Sequence, residues 1–280
     1  MEQDNSLRVD VDALVRSRAP RYYKYIPKFI IRWLERTVCQ DRVNDFLSRH
    51  GHERDAEFCR SLLADLKINI DVNGEENLPT AENRRVLFVS NHPLGGLDGV
   101  ALIDYVQRRY GGHVGFVVND LLTVLKPLNG VFIPINKHGV QNREAVESVD
   151  RAFAGNDPLL MFPAGLVSRR QKGGEIRDLE WMKMFVTKAR QSGRTIIPLY
   201  FNGENSSFFY KFAKFRKKLG VKFNVEMIYL PKEMFMAEGK SFSITFGKPI
   251  DIQSFPKGMK AAEIAQNIKE TVYSLRPQKK

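Results

Sequence analysis

Residues 86–99 read Val86-Leu87-Phe88-Val89-Ser90-Asn91-His92-Pro93-Leu94-Gly95-Gly96-Leu97-Asp98-Gly99. The unbroken apolar run at the front predicts a strand, and it ends in a glycine-rich turn. Helix-like periodicity begins at about residue 97. A strand that passes through a turn into a helix is the building unit of an α/β domain. The same turn carries a candidate for chemistry. His92 arrives at the end of the strand, where the sheet holds it and the loop stays open to substrate. Asp98 follows after five intervening residues. A histidine beside a carboxylate is the pairing of a general base with the group that orients it. Gly95 and Gly96 permit the backbone angles that fold the turn back and let the two side chains meet. Taken alone, His-Pro-Leu-Gly-Gly is more often only a turn, so the rest of the chain decides.

Working outward, short apolar runs alternate with amphipathic stretches from about residue 66. Strands are predicted over 67–72, 85–90, 114–118, 131–135, 158–162, 195–201, 223–230 and 242–247. Helices are predicted over 97–109, 119–126, 141–154, 179–192 and 259–275. This alternation predicts an α/β fold with a mixed, largely parallel sheet flanked by helices. Residues 10–65 read as helical throughout. Asp10 and Asp12 start a first helix that Pro20 breaks, and Tyr22, Ile26, Phe29, Ile30 and Trp33 share one helical side. Pro27 opens or kinks that helix, Asp41 caps 42–49, and Gly51 stops it. The chain therefore divides into an N-terminal helical segment, 1–65, and an α/β domain, 66–280.

The 280 residues carry a formal net charge of +12. That balance attracts polyanions: nucleic acid, an anionic membrane surface or an acidic protein. Cys39 and Cys59 make neither a disulfide framework nor a zinc motif. His50, His52, His113 and His138 lack metal-ligand partners at helical spacing, so no metal is expected. The polar stretch Met1–Val9 lacks the apolar core of a secretion signal, and no run of about 18 apolar residues predicts a membrane span.

Three further segments end strands at polar or glycine-rich positions. Gly130-Val131-Phe132-Ile133-Pro134-Ile135-Asn136-Lys137 is a strand with a polar end. Phe162-Pro163-Ala164-Gly165-Leu166-Val167-Ser168-Arg169-Arg170 is a strand that turns and ends in two arginines, whose guanidinium forks match carboxylate or phosphate oxygens. Ile196-Ile197-Pro198-Leu199-Tyr200-Phe201 is a buried strand with a proline.

The order and spacing of the four segments resemble the glycerolipid acyltransferase superfamily, best known through the bacterial 1-acyl-glycerol-3-phosphate acyltransferases. The resemblance covers roughly residues 80–250. The family pattern has four residues between histidine and aspartate, where this chain has five. It has a glutamate where Ala164 stands and an arginine where Asn136 stands. The last two changes remove groups that hold a glycerol-phosphate head, which implies an acceptor other than lysophosphatidic acid. The stretches at 162–170, 176–181 and 205–210 are similar to a branch that carries a haemolysin label in many bacteria. That branch is similar to the O-acyltransferases of glycine- and ornithine-lipid synthesis, whose acceptor presents a carboxylate.

What the resemblance implies is an O-acyltransferase. His92 removes the proton from a lipid hydroxyl and Asp98 orients the imidazole. Asn91, Gly95, Gly96, Asn136, Lys137, Phe162, Pro163, Gly165, Ser168, Arg169 and Arg170 are the candidate substrate-binding residues, with Arg169 foremost for the anionic head. No bound cofactor is implied, and the co-substrate is acyl-[acyl carrier protein] or acyl-CoA. Expected partners are a lyso-lipid, an anionic membrane surface and acyl carrier protein, at the cytoplasmic face of the inner membrane. Residues 13–49 hold nine Lys/Arg against three Asp/Glu, interleaved with Tyr22, Tyr23, Tyr25, Phe29 and Trp33, and 206–222 hold six cations and no acid. The first reads as an interfacial helix, and the second fits either the membrane or the acidic surface of acyl carrier protein. The competing readings are acylation of lysophosphatidic acid and a non-catalytic nucleic-acid- or membrane-binding protein. No nucleic-acid-binding motif is present, and the first of these keeps the His–Asp pair in use.

Overall fold

The computed structural model describes residues 7–135, 143–221 and 223–278. The helices are α1 (Val11–Arg18), α2 (Pro20–Tyr23), α3 (Lys28–Thr37), α4 (Gln40–His50), α5 (Asp55–Asp65), α6 (Leu97–Tyr110), α7 (Arg143–Ala154), α8 (Met184–Ser192), α9 (Ser207–Lys218), α10 (Leu230–Phe235) and α11 (Ala261–Ser274). The strands are β1 (Asn69–Asn73), β2 (Val86–Ser90), β3 (Gly115–Asn119), β4 (Phe132–Ile135), β5 (Leu159–Met161), β6 (Arg169–Arg170), β7 (Ile176–Arg177), β8 (Thr195–Asn202) and β9 (Ser241–Phe246). Seven of them form one sheet in the order β1-β9-β8-β2-β5-β3-β4, and β6 and β7 form a small antiparallel pair. Within the large sheet only β8 and β9 pair antiparallel, with Tyr200 opposite Thr245. The sheet is mixed and largely parallel, as the alternation of elements predicted.

Helices cover both faces, and β2 shows why its sequence is apolar at every position. Val86 and Phe88 face the core that α5 and α6 complete, with Cys59, Leu62, Leu97 and Val106. Leu87 and Val89 face the opposite core, with Val149 of α7, Phe185 of α8 and Ile268 of α11. A strand buried on both sides has no solvent face to mark with polar residues. Within the N-terminal segment, α4 and α5 share the first of these cores through Phe46, Leu47 and Phe58. By contrast, α2, α3 and the turn between them leave Tyr22, Tyr25 and Phe29 exposed. Asp10 caps α1 by accepting from the Ala13 N–H at 2.9 Å. Pro27 stands immediately before α3.

Two predicted elements differ. Residues 223–230 are not a strand: Val225–Tyr229 form a 3-10 turn that runs into α10. Buried Glu226 in this segment is bound by Arg169 and Arg216, and Met227, Tyr229 and Leu230 pack on Val167, Phe209 and Tyr210. These side-chain contacts form a small separate core with α9 and the β6–β7 pair, and tertiary packing overrides the β-type composition. The helix predicted over 119–126 is a pair of 3-10 turns, Asp120–Val124 and Lys126–Leu128, divided at Leu125, whose φ −81° and ψ 70° are not helical. Similarly, α8 begins only at Met184, because Asp178 and Trp181 are taken up by the site described next.

Candidate active site

The sheet topology places the site. From β2 the chain leaves through α6, on one face, towards β3. From the adjacent β5 it leaves through α8, on the other face, towards β8. Adjacent parallel strands whose connections diverge open a crevice at their carboxyl ends. His92 follows β2 and Phe162 follows β5, so both stand at that crevice. Their rings stack, with centroids 4.0 Å apart and planes 18° apart.

His92 Nδ1 lies 2.9 Å from Asp98 Oδ2. The five-residue spacing is therefore compatible with contact, and the glycine pair explains how. Gly95 has φ +79°, in the left-handed region, and an ideal Cβ there would lie 2.6 Å from Val167 Cγ2. Gly96 is the residue that enters α6. The turn thus reverses tightly and puts Asp98 in the first turn of α6, beneath the imidazole.

Asp98 is 0% exposed and accepts three hydrogen bonds. Oδ2 also accepts from the Leu94 N–H at 3.0 Å, and Oδ1 from the Gly99 N–H at 3.0 Å. Burial alone would push its carboxyl upward. The neighbouring His92 and the two backbone donors outweigh burial and hold it below the usual carboxylate range. An ionised carboxylate can only accept, so it takes Nδ1–H and leaves the basic lone pair on Nε2.

A second buried carboxylate, Asp178, secures the same loop from the other side. Its Oδ1 accepts from the His92 backbone N–H at 3.2 Å and from Ser168 Oγ at 2.5 Å. Its Oδ2 accepts from Trp181 Nε1 at 2.9 Å. The Ser168 N–H in turn donates to the His92 carbonyl at 2.8 Å. Burial is the largest influence on Asp178 and pushes its carboxyl up, against these hydrogen bonds. Asp178 was missed as a site residue because 86 positions separate it from His92, and no spacing rule spans such a gap.

The other expected site residues fall into distinct roles. Asn91 is buried and exchanges two hydrogen bonds with the Phe201 backbone, donating at 2.9 Å and accepting at 2.7 Å. Pro163 and Gly165 shape the turn after β5: the Gly165 N–H donates to the Phe162 carbonyl at 2.9 Å, and Gly165 has φ +59°. Ser168 is buried against Asp178. Arg169, expected foremost at the substrate's anionic head, turns inward. It donates to Glu226 at 2.8 Å and to the Val167 carbonyl at 3.0 Å. Arg170 is exposed, with its guanidinium 5.7 Å from the Tyr210 ring centre. Asn136 and Lys137 lie outside the described residues. Gly99, not singled out from sequence, is needed for close packing: an ideal Cβ there would lie 3.0 Å from Phe116 Cε1. Phe116 meets Phe162 edge-on at 5.3 Å and so supports the stacked ring from behind.

A strand-end imidazole backed by a buried carboxylate, on a mixed α/β sheet, is an arrangement that can accept a proton from a substrate hydroxyl. The chain belongs to the acyltransferase family, whose model matches residues 13–278. It is an acyltransferase. A lyso-glycine lipid O-acyltransferase of Bacteroides thetaiotaomicron is 45% identical over 275 residues, covering 98% of this chain and 100% of that protein. A lyso-glycine lipid O-acyltransferase of Phocaeicola vulgatus is also 45% identical, covering 98% of each chain. Among solved structures, the 1-acyl-sn-glycerophosphate (LPA) acyltransferase PlsC of Thermotoga maritima matches with a TM-score of 0.44 and 18% identity, over 90% of this chain and 95% of that one.

Proposed function

We propose that this acyltransferase moves a fatty acyl group from a thioester carrier to the hydroxyl of a lyso-lipid, most specifically an N-(3-hydroxyacyl) amino-acid lipid of the lyso-glycine type. The observation that carries the reaction is the His92–Asp98 contact in a chain of this family. The two relatives named for lyso-glycine lipid support the acceptor. His92 Nε2 takes the proton of the acceptor hydroxyl as its oxygen attacks the thioester carbonyl. Asp98 stabilises the imidazolium that forms. The tetrahedral intermediate collapses with cleavage of the C–S bond, and the leaving thiolate takes the proton back from His92. Backbone N–H groups at the Gly96 entry to α6 would face the oxyanion, where the helix dipole favours negative charge.

Because Glu226 already neutralises Arg169, the acceptor's carboxylate is assigned to Arg170. The donor is an acyl-[acyl carrier protein] or acyl-CoA. The enzyme works as a peripheral protein at an anionic membrane surface, the inner membrane's cytoplasmic face. The exposed Tyr22, Tyr25 and Phe29 among the cations of the 1–65 segment support this. Among the described residues, no helix is long and apolar enough to cross a membrane.

The decisive experiment expresses the chain in a host that lacks amino-acid lipids, together with the N-(3-hydroxyacyl)glycine precursor, and analyses the lipids. The diacylated product should appear, and should vanish in His92→Ala and Asp98→Ala. Product formation from lysophosphatidic acid but not from the glycine precursor would overturn the assigned acceptor.

A further inference from the structure

Helix α9 buries Phe209, Tyr210 and Ala213 against the domain. Its opposite side is left apolar: Phe208, Phe215 and Leu219 are exposed at helical spacing, and Phe223 beyond the helix is 81% exposed. Lys211 and Lys218 flank this stripe and are exposed. Phe208 and Phe212 stack at 5.8 Å, and both meet the Tyr229 ring edge-on, at 5.0 and 5.4 Å. Tyr229 in turn meets Trp33 of α3 at 6.2 Å. The aromatic surface of the N-terminal helices and that of α9 are therefore one continuous surface, joined through Tyr229.

The surface is also tied to the site. Leu230, next to Tyr229, packs so closely on the His92 turn that an ideal Cβ at Gly95 would lie 2.7 Å from it. Asn205 at the root of α9 donates to the Pro93 carbonyl at 3.1 Å. We infer that the α9 stripe is a second membrane-docking element, which seats on an anionic bilayer beside α3 and holds the His92 crevice against the lipid surface. Bulky apolar side chains beside a row of lysines complement an acyl interior beneath negative headgroups. An acidic carrier protein would match the lysines but would leave the outward phenylalanines in water. The inference rests on the lipid-acceptor reading for its purpose, but vesicle binding tests it without any acyl transfer.

The test is co-sedimentation of the full chain with vesicles of phosphatidylglycerol and phosphatidylcholine, compared with phosphatidylcholine alone. The variants are Phe215→Ser with Phe223→Ser, and Lys211→Ala with Lys218→Ala. Each lysine near an anionic surface is worth about fivefold in affinity. The lysine pair should therefore weaken binding about 25-fold on anionic vesicles only. The phenylalanine pair should weaken it at least about tenfold, including in high salt, where surface charge is screened. Acyl transfer to acceptor held in detergent micelles should remain unchanged in both variants. Wild-type binding to vesicles by both variants would overturn the inference. So would loss of binding to acyl carrier protein without loss of binding to vesicles. A wild-type chain that binds vesicles through α9 and transfers no acyl group would instead overturn the catalytic reading.

Discussion

Asp98→Asn exchanges one oxygen for an NH2 group at nearly constant volume, at a position where three donors converge on two oxygens. An asparagine has one acceptor oxygen and two arrangements. With the oxygen in the Oδ2 place, it keeps the His92 and Leu94 donors and points its NH2 at the Gly99 N–H. With the amide flipped, the NH2 faces both Leu94 N–H and His92 Nδ1, and the imidazole must move its proton to Nε2, where it cannot act as a base. Either arrangement leaves at least one buried donor unsatisfied, which costs about 1–3 kcal/mol of stability. The flipped form also removes general-base help worth about 10²–10⁴ in rate, or roughly 2.7–5.4 kcal/mol of barrier. The assay is kcat for acyl transfer on micellar acceptor, with the urea midpoint measured in parallel. Expected are a fall in kcat of at least about a hundredfold with little change in acceptor KM, and a lowered urea midpoint. A kcat within a few-fold of wild type in a folded variant would refute the claim that Asp98 selects the reactive tautomer.

Asp98 also predicts a pH signature. Its carboxyl is held low in the folded state, so its stabilisation is complete above about pH 4, the unfolded carboxyl's range, and is lost as pH falls through the lower folded value. The difference in urea midpoint between wild type and Asp98→Asn should therefore shrink on acidification; a difference that grows would contradict it. Glu226→Ala leaves the largely covered side chains of Arg169 and Arg216 without their shared buried carboxylate and should cost about 3 kcal/mol, read by thermal or urea unfolding. Gly95→Ala combines a left-handed backbone with contact against Val167 and Leu230; expected is a loss of about 2–4 kcal/mol, with kcat reduced in whatever fraction folds. Arg170→Ala should raise the acceptor KM well above the donor KM, and equal effects on both would remove its assignment to the carboxylate head.

The core of the sheet was legible because strands buried on both faces write their burial into every residue, as at 86–90 and 195–201. The His92–Asp98 pair was legible because the turn is local: six positions, two glycines and one helix start settle the contact. What escaped were features set by distant partners. Nothing near residue 178 says that its carboxylate will hold the His92 backbone. On sequence alone, Arg169 stands ahead of its neighbour Arg170 for the anionic head. Glu226, 57 positions beyond Arg169, draws that side chain inward and leaves Arg170 outside. The 223–230 stretch has strand-like composition, but it meets α9, the Val167 turn and the β6–β7 pair through side chains and folds as a 3-10 turn and α10.

Asn91 stands where β2 leaves the sheet. Its carboxamide offers the Phe201 main chain the same donor and acceptor that another peptide unit would. A side chain thus acts as a dummy residue of the ladder. The real backbone is free to swing away and carry the imidazole into the crevice, while β8 stays zipped to its full length. One methylene more, as in Asn91→Gln, would put this false rung out of register and unfasten the floor on which the His92 ring rests.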